Sequence, residues 1–221
     1  MPVKQQDIPQ TILQLYAVRK GVLMSPTFGL AVRTTRGAYA CSVAHAIDER
    51  DEHLEVWTGV HPEVAQSFNM RSGAKRIYRA DLSKENRAIL RDQDADFMAL
   101  PLPGYKGPAL DARSDLHQGE ISLLRKVLIA FLDYNPDERG TLERSGDGIA
   151  GLVTKETATH CTLTAAGCTG MSGAPALVRA PGGDYLWVGI YTGTPRTTPL
   201  TQKAVENFAN IRKVGALLAD L

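Results

Sequence analysis

The sequence predicts an all-β protein, built either as two small barrels or as a sandwich, with a helical segment at each end. Most of the 221-residue chain consists of short runs of β-branched and aromatic residues separated by Gly, Pro, Asp and Asn, a pattern typical of short antiparallel strands. The number of these runs suits barrels or a sandwich better than one parallel sheet. Helical spacing of apolar residues occurs only near the two termini.

The N-terminal segment, residues 1–19, is predicted to be helical. Apolar residues recur near helical spacing in "IPQTILQLYAV", at Ile8, Ile12, Leu15 and Tyr16. Residues 20–104 are predicted to form a first barrel. Its expected strands are "FGLAVRTT", "AYACSVA", "HLEVWTG", "RIYRAD" and "DFMALPL".

Gly and Pro concentrate in residues 101–115, which predicts a connector over residues 105–117. A second barrel is expected over residues 118–200, with strands "ISLLRKVLIAFLD", "GIAGLVT", "THCTLT" and "DYLWVGIYTG". Within it, residues 134–148 are expected to form a hairpin or surface loop. A C-terminal helix is predicted over residues 201–221, where one apolar stripe contains Val205, Phe208, Ile211, Val214, Leu217 and Leu218.

The charge balance gives no reason to expect nucleic acid as a partner. Twenty-five basic and twenty-four acidic side chains give a formal net charge of +1, so the chain lacks the global field that gathers polyanions. It also lacks a basic tract with interleaved aromatic residues. No run of about eighteen apolar residues is present, so we expect no membrane segment. The N-terminus lacks the apolar core of a secretory signal.

The three cysteines, Cys41, Cys161 and Cys168, are too few for a disulfide framework and are expected to be free thiols. His160 lies beside Cys161, but neither a C-x-x-C pair nor a second paired set of ligands accompanies them. We therefore expect no metal site and no cofactor.

The segment "GCTGMSGAPAL", residues 167–177, places Ser172 among small residues. A serine hydroxyl becomes a good nucleophile when a base takes its proton and backbone donors receive the charge formed on the substrate. A glycine at position 170 allows its N–H to point to the same place as that of Ser172, which would form an oxyanion hole, and Gly173 leaves room for substrate. The alternative is a tight turn that closes a hairpin.

Two further residues supply the partners that such a serine needs. His45 ends an apolar run between two alanines, and Asp96 opens the apolar run of "DADFMALPLP". A carboxylate at a strand end can orient an imidazole and stabilise its protonated form. Asp94 is a rival for this role, and a structural histidine with an aspartate in a turn is the alternative. The chain order His45, Asp96, Ser172 is that of chymotrypsin rather than of subtilisin or the α/β-hydrolases.

Through "SVAHAI", "DFMALPLP", "TGMSGAPAL" and "VGIYTG", the chain resembles chymotrypsin-like serine proteases, in particular those of positive-strand RNA viruses of the sobemovirus and astrovirus kind. The resemblance covers residues 20–200 and implies two six-stranded barrels with the active site between them. It also implies a serine endopeptidase in which His45 is the general base, Asp96 orients it, Ser172 is the nucleophile, and the N–H groups of Gly170 and Ser172 form the oxyanion hole.

The same resemblance aligns four residues with the substrate pocket: Ala166, Tyr191, Thr192 and Gly193. They carry no charge, so a Gln, Glu or medium-sized apolar side chain is the expected substrate residue. The chain departs from its relatives at Met171, where trypsin-type enzymes have an aspartate that pairs with a new N-terminus. Gly167 and Cys168 replace a threonine and a basic residue of the sobemovirus type. A thiol nucleophile at Cys168 is disfavoured, because it lies four residues before the serine.

If the protein is viral, the resemblance implies a polypeptide substrate, the polyprotein from which it is cut. The expected location is then the host cytoplasm, with any membrane attachment supplied by other parts of the precursor. Two alternatives remain open. One is a cellular trypsin-like protease, and the other is a trypsin-fold binding module without catalytic activity.

Overall fold

The computed structural model describes residues 7–82, 90–165, 170–193 and 209–220. In these residues two α-helices and sixteen strands are formed, and the strands make two sheets. In chain order the elements are α1 (Ile8–Thr11), β1 (Ile12–Arg19), β2 (Val22–Leu23), β3 (Thr27–Thr34), β4 (Gly37–Ser42), β5 (His53–Trp57), α2 (Pro62–Ser67), β6 (Arg71–Ser72), β7 (Arg76–Asp81), β8 (Leu90–Asp92), β9 (Phe97–Pro101), β10 (Leu110–Asp111), β11 (Lys126–Pro136), β12 (Thr141–Glu156), β13 (His160–Leu163), β14 (Pro175–Arg179), β15 (Tyr185–Gly193) and β16 (Ala209–Lys213).

The first sheet has the strand order β7-β5-β1-β3-β4-β9-β8, with β2 beside β1 and β10 beside β3. It curls around a core of its own, in which Leu13, Leu54, Met98 and Leu100 are fully buried. The sheet forms a half-barrel, since no pairing within the described residues joins its outer strands β7 and β8.

The second sheet closes on itself in the order β11-β14-β15-β16-β13-β12, because β11 also pairs with β12. The result is a six-stranded barrel, to which β6 is added beside β12. Its core contains Val127, Ile129, Leu163, Ala176 and Ile211, all fully buried. The predicted all-β fold with two barrels is therefore confirmed.

The predicted N-terminal helix is wrong for residues 12–19, which form β1, and only Ile8–Thr11 are helical. Leu13 and Leu15 belong to the core of the first barrel, whereas Ile12 belongs to the core that includes the buried residues of the second barrel. A strand that is buried on both faces is a nearly continuous apolar run, and such a run contains helical spacings by chance.

The predicted C-terminal helix is wrong for residues 209–213, which form β16 between β13 and β15. Ala209 and Ile211 are fully buried, and this alternation is that of a strand. Leu217–Asp220 form one turn of 3-10 helix. Val205 and Phe208 lie outside the described residues.

Residues 134–148 form the outer part of a long hairpin, which is one of the two forms expected for this segment. Strands β11 and β12 pair continuously from Lys126 opposite Leu152 to Pro136 opposite Leu142. The tip reaches the first half of the chain, where β6 pairs with β12 and the Arg144 guanidinium donates to the backbone oxygen of Ile12 at 2.8 Å. The hairpin therefore ties the two barrels together.

Candidate active site

His45 follows β4 and lies in one turn of 3-10 helix, Ala44–Ala46. The flanking alanines leave its imidazole about half exposed, with 49% of the side-chain surface accessible. Its Nδ1 lies 2.9 Å from Oδ1 and 2.8 Å from Oδ2 of Asp96. The backbone N–H of His45 also donates to Asp96 Oδ1, at 3.1 Å. Two donors on one residue thus hold the carboxylate in place.

Asp96 lies at the end of the tight turn between β8 and β9. Its φ of 49° is in the left-handed region, where aspartate is tolerated better than most residues. The turn is held by Asp92, whose Oδ1 accepts from the N–H of Ala95 at 2.8 Å, and by a bond of 3.2 Å from the Asp96 N–H to the Gln93 oxygen. Asp94 is exposed on the same turn. The carboxylate that meets His45 is therefore that of Asp96.

A carboxylate at Nδ1 of a neutral histidine fixes the proton on that nitrogen, so Nε2 is left as an acceptor. This is the tautomer that a general base requires. The pairing of β4 with β9 produces this contact. Ser42 lies opposite Met98, His45 follows Ser42 by three residues, and Asp96 precedes Met98 by two.

The loop before β14 presents Ser172. Gly170 and Gly173 have φ values of 91° and 83°, in the region that glycine adopts without strain. Met171 is buried beneath the turn. The N–H of Ala174 donates to the Met171 oxygen at 2.9 Å. The serine itself is partly exposed. The glycines thus allow the tight turn of the backbone on both sides of Ser172.

Two backbone contacts place this loop between the barrels. On one side, the N–H of Phe28 in β3 donates to the Ser172 oxygen at 2.8 Å. On the other side, the N–H of Gly173 donates to the Tyr191 oxygen, also at 2.8 Å. Ser172 is therefore held between β3 of the first sheet and β15 of the second.

The described hydrogen bonds do not include one between the Ser172 hydroxyl and the His45 imidazole. The structure thus brings His45 and Asp96 into contact, and it bonds the Ser172 backbone to β3, the strand that pairs with β4. Catalytic hydrogen bonds in ligand-free structures are often long and form in the substrate complex.

Of the predicted pocket residues, Tyr191, Thr192 and Gly193 lie at the end of β15, and Ala166 lies outside the described residues. Tyr191 is buried and lies opposite Ile211 of β16. The Thr192 hydroxyl donates to the Asn210 oxygen at 3.3 Å. Sequence reasoning did not assign β16 to this region, because it predicted a helix there.

Sequence reasoning also missed Phe28 and Ser42. Both lie beside the loop that presents Ser172, and the Ser42 hydroxyl donates to the Phe28 oxygen at 2.5 Å. A serine inside the apolar run "AYACSVA" is the one signal that could have indicated a buried hydroxyl with a specific partner. Nothing in the sequence singles out Phe28.

The described thiols have no part in this site. Cys41 and Cys161 are both buried. Burial, with a smaller effect of Glu156, raises the pKa of the Cys161 thiol to about 12, and burial likewise raises the pKa of Cys41. A protonated thiol is a poor nucleophile. Cys168 lies outside the described residues.

Within the described residues, no group of three or more His, Cys, Asp or Glu side chains is arranged to hold a metal ion. No helix in the described part of the chain is long and apolar enough to cross a membrane.

No protein-family model and no curated protein sequence matches the chain. Solved structures do match. A cysteine-to-alanine mutant of tobacco etch virus protease has a TM-score of 0.61 and 14% identity over 100% of this chain and 82% of that chain. Catalytically inactive tobacco etch virus protease complexed with substrate has a TM-score of 0.60 and 13% identity over 99% of this chain and 86% of that chain. A serine endoprotease from Yersinia pestis has a TM-score of 0.59 and 16% identity over 100% of this chain and 65% of that chain.

These similarities give the chain a two-barrel chymotrypsin-like fold. At this level of identity they carry the fold alone.

Proposed function

We propose that the protein is a serine endopeptidase that uses His45, Asp96 and Ser172. The observation that carries the proposal is the contact of His45 Nδ1 with both oxygens of Asp96, at 2.9 and 2.8 Å. It lies in a two-barrel fold shared with proteases, and the loop that presents Ser172 is hydrogen-bonded to Phe28 of β3, the strand that pairs with β4.

In the proposed reaction, His45 Nε2 takes the proton from Ser172 Oγ while that oxygen attacks the peptide carbonyl. The carbonyl oxygen becomes an anion, which the N–H groups of Gly170 and Ser172 stabilise. His45 then gives the proton to the departing amine, and an acyl-enzyme remains. Water, deprotonated in turn by His45, hydrolyses that ester and restores Ser172. Asp96 stabilises the imidazolium in both steps.

For the substrate we propose a viral polyprotein. The motif resemblance to RNA-virus proteases supports this, as do the tobacco etch virus proteases among the structures with this fold. The neutral residues Tyr191, Thr192 and Gly193 support a preference for Gln, Glu or a medium-sized apolar side chain. The alternative is a cellular protease, because the Yersinia endoprotease has the same fold.

Cleavage of a diverse peptide library, read by mass spectrometry, tests the activity. We expect new peptide termini with wild type and none with Ser172→Ala. To test the substrate, Ser172→Ala in a longer precursor should abolish processing of that precursor. Unchanged processing would refute the polyprotein proposal and leave the library result to decide the activity.

The second candidate function is a trypsin-fold binding module. The observation that favours it is that the described hydrogen bonds hold the Ser172 loop through its backbone, to Phe28 and Tyr191, which a binding loop would also require. A folded wild-type protein that cleaves no peptide in the library would support the binding module.

A further inference from the structure

The backbone of Phe28 in β3 joins the two halves of the candidate active site. Its N–H donates to the Ser172 oxygen at 2.8 Å. Its C=O accepts from the Ser42 hydroxyl at 2.5 Å. One residue of the first barrel therefore contacts both the nucleophile loop and β4, which leads to the candidate base.

The Ser42 side chain lies in the buried interior where β4 pairs with β9. It is fully buried, lies opposite Met98 of β9, and is three residues before His45. Asp96 is two residues before Met98. The strand pair that carries Ser42 thus also carries the contact between imidazole and carboxylate.

The nucleophile loop is packed tightly against this region. A Cβ placed on Gly173 would lie 1.9 Å from the Phe28 oxygen and 2.5 Å from Ser42 Oγ. The Phe28 ring extends to the second barrel, where its centroid lies 6.5 Å from that of Phe131. On the far side, the Gly173 N–H is bonded to the Tyr191 oxygen at 2.8 Å. The loop therefore has little freedom to move if the Phe28 oxygen stays in place.

We propose that Ser42 is a positioning residue, whose hydroxyl fixes the Phe28 carbonyl and thereby the position of Ser172 relative to His45. This inference rests on the proposed serine-peptidase function. Ser42 is fully buried and takes no part in the chemical steps. It acts through Phe28.

Loss of the Ser42 hydroxyl leaves the Phe28 oxygen buried without this donor, and a buried unpaired carbonyl is unfavourable enough to shift the local backbone toward another partner. A misplacement of about 1 Å in an active site can lower the rate by on the order of a hundredfold. Ser42→Ala is therefore expected to slow attack by Ser172 by about tenfold to a hundredfold. The contact between His45 and Asp96 lies within the first barrel and should persist.

The test is the rate constant for labelling of Ser172 by a fluorophosphonate, measured from about pH 5 to pH 9 at a temperature where every variant is folded. Ser42→Ala should lower the plateau rate about tenfold or more without moving the midpoint of the pH profile, since the base is unchanged. Ser42→Thr keeps the hydroxyl and should recover most of the rate. Ser72→Ala is the matched control, because the Ser72 hydroxyl also donates to a backbone oxygen, that of Val60, away from the site.

Amide hydrogen exchange gives a second readout that is independent of activity. The Phe28 N–H should exchange faster in Ser42→Ala than in wild type and Ser72→Ala, because its bond to Ser172 is loosened. A Ser42→Ala protein that is labelled at the wild-type rate, even with a lower melting temperature, would overturn the positioning role and leave the peptidase proposal intact. A folded wild type that is not labelled at all would overturn both.

Discussion

Replacement of Gly173 by alanine tests whether the loop that presents Ser172 is packed against the first barrel as the structure shows. The residue has a φ of 83°, and a left-handed conformation is unfavourable for alanine by about 1–2 kcal/mol. Its new Cβ would also lie 1.9 Å from the Phe28 oxygen and 2.9 Å from the Phe28 carbonyl carbon. Both are backbone atoms of a central strand, so relief requires movement of the loop or of β3.

Overpacking of this kind destabilises a protein by about 1–3 kcal/mol. Together with the unfavourable φ, we expect Gly173→Ala to lower the free energy of unfolding by about 2–5 kcal/mol. For a chain of this size, each kcal/mol lowers the melting temperature by about 2–4 °C. The expected decrease is thus about 4–20 °C, measured by circular dichroism or calorimetry.

Gly183→Ala is the matched control for this prediction. Its φ is 94°, and the nearest atom to an added Cβ is the Arg179 guanidinium nitrogen at 3.6 Å, at the end of a flexible side chain. Only the backbone term applies there, so we expect a loss of about 1–2 kcal/mol. If Gly173→Ala lowers the melting temperature no more than Gly183→Ala does, the close approach of the loop to Phe28 is refuted.

Three further predictions concern the site and the stability of the second barrel. Asp96→Asn should lower the rate of peptide cleavage by on the order of a thousandfold or more, because the histidine tautomer is no longer fixed, whereas Asp94→Asn should keep the wild-type rate; equal losses would contradict the assignment. Gly170→Val should lower turnover by on the order of a hundredfold or more through loss of one oxyanion donor, and a turnover near wild type would exclude this N–H from the oxyanion hole. At Glu156, burial acts to raise the pKa, but the hydrogen bond from Lys213 at 2.7 Å and other donors outweigh it and hold the pKa below its ordinary value. A lowered folded-state pKa contributes stability that is complete above the unfolded value, about 4.3, and is lost as the pH falls through the folded value. The melting temperature of wild type should therefore fall more steeply below about pH 5 than that of Glu156→Gln, and parallel curves would contradict it.

The sequence predicted those parts of the fold that depend on local residue patterns. The β-branched and aromatic runs that became β3, β4 and β9 could be recognised one at a time from the Gly, Pro, Asp and Asn residues that separate them, and so could the motifs around His45 and Ser172. Asp96 could not be separated from Asp94 by sequence, because the choice depends on the turn between β8 and β9 and on the pairing of β9 with β4.

The errors lie where burial on both faces removes the alternation. Seven of the eight residues of β1 are buried, so its apolar residues have no period that distinguishes a strand from a helix. β16 is short, and its apolar neighbours Val214 and Leu218 extend an apparent helical stripe. Phe28 and Ser42 were missed for another reason: their role depends on contacts between segments that are distant in the chain, which no local pattern encodes.

A serine-directed fluorophosphonate, with the adduct located by mass spectrometry, shows whether Ser172 and His45 form an assembled nucleophile and base. We expect a single adduct on Ser172 in wild type, lost in Ser172→Ala and also in His45→Ala. No adduct on a wild-type protein that is demonstrably folded would contradict it, and an adduct on Ser172 that persists in His45→Ala would contradict the assignment of His45 as the base.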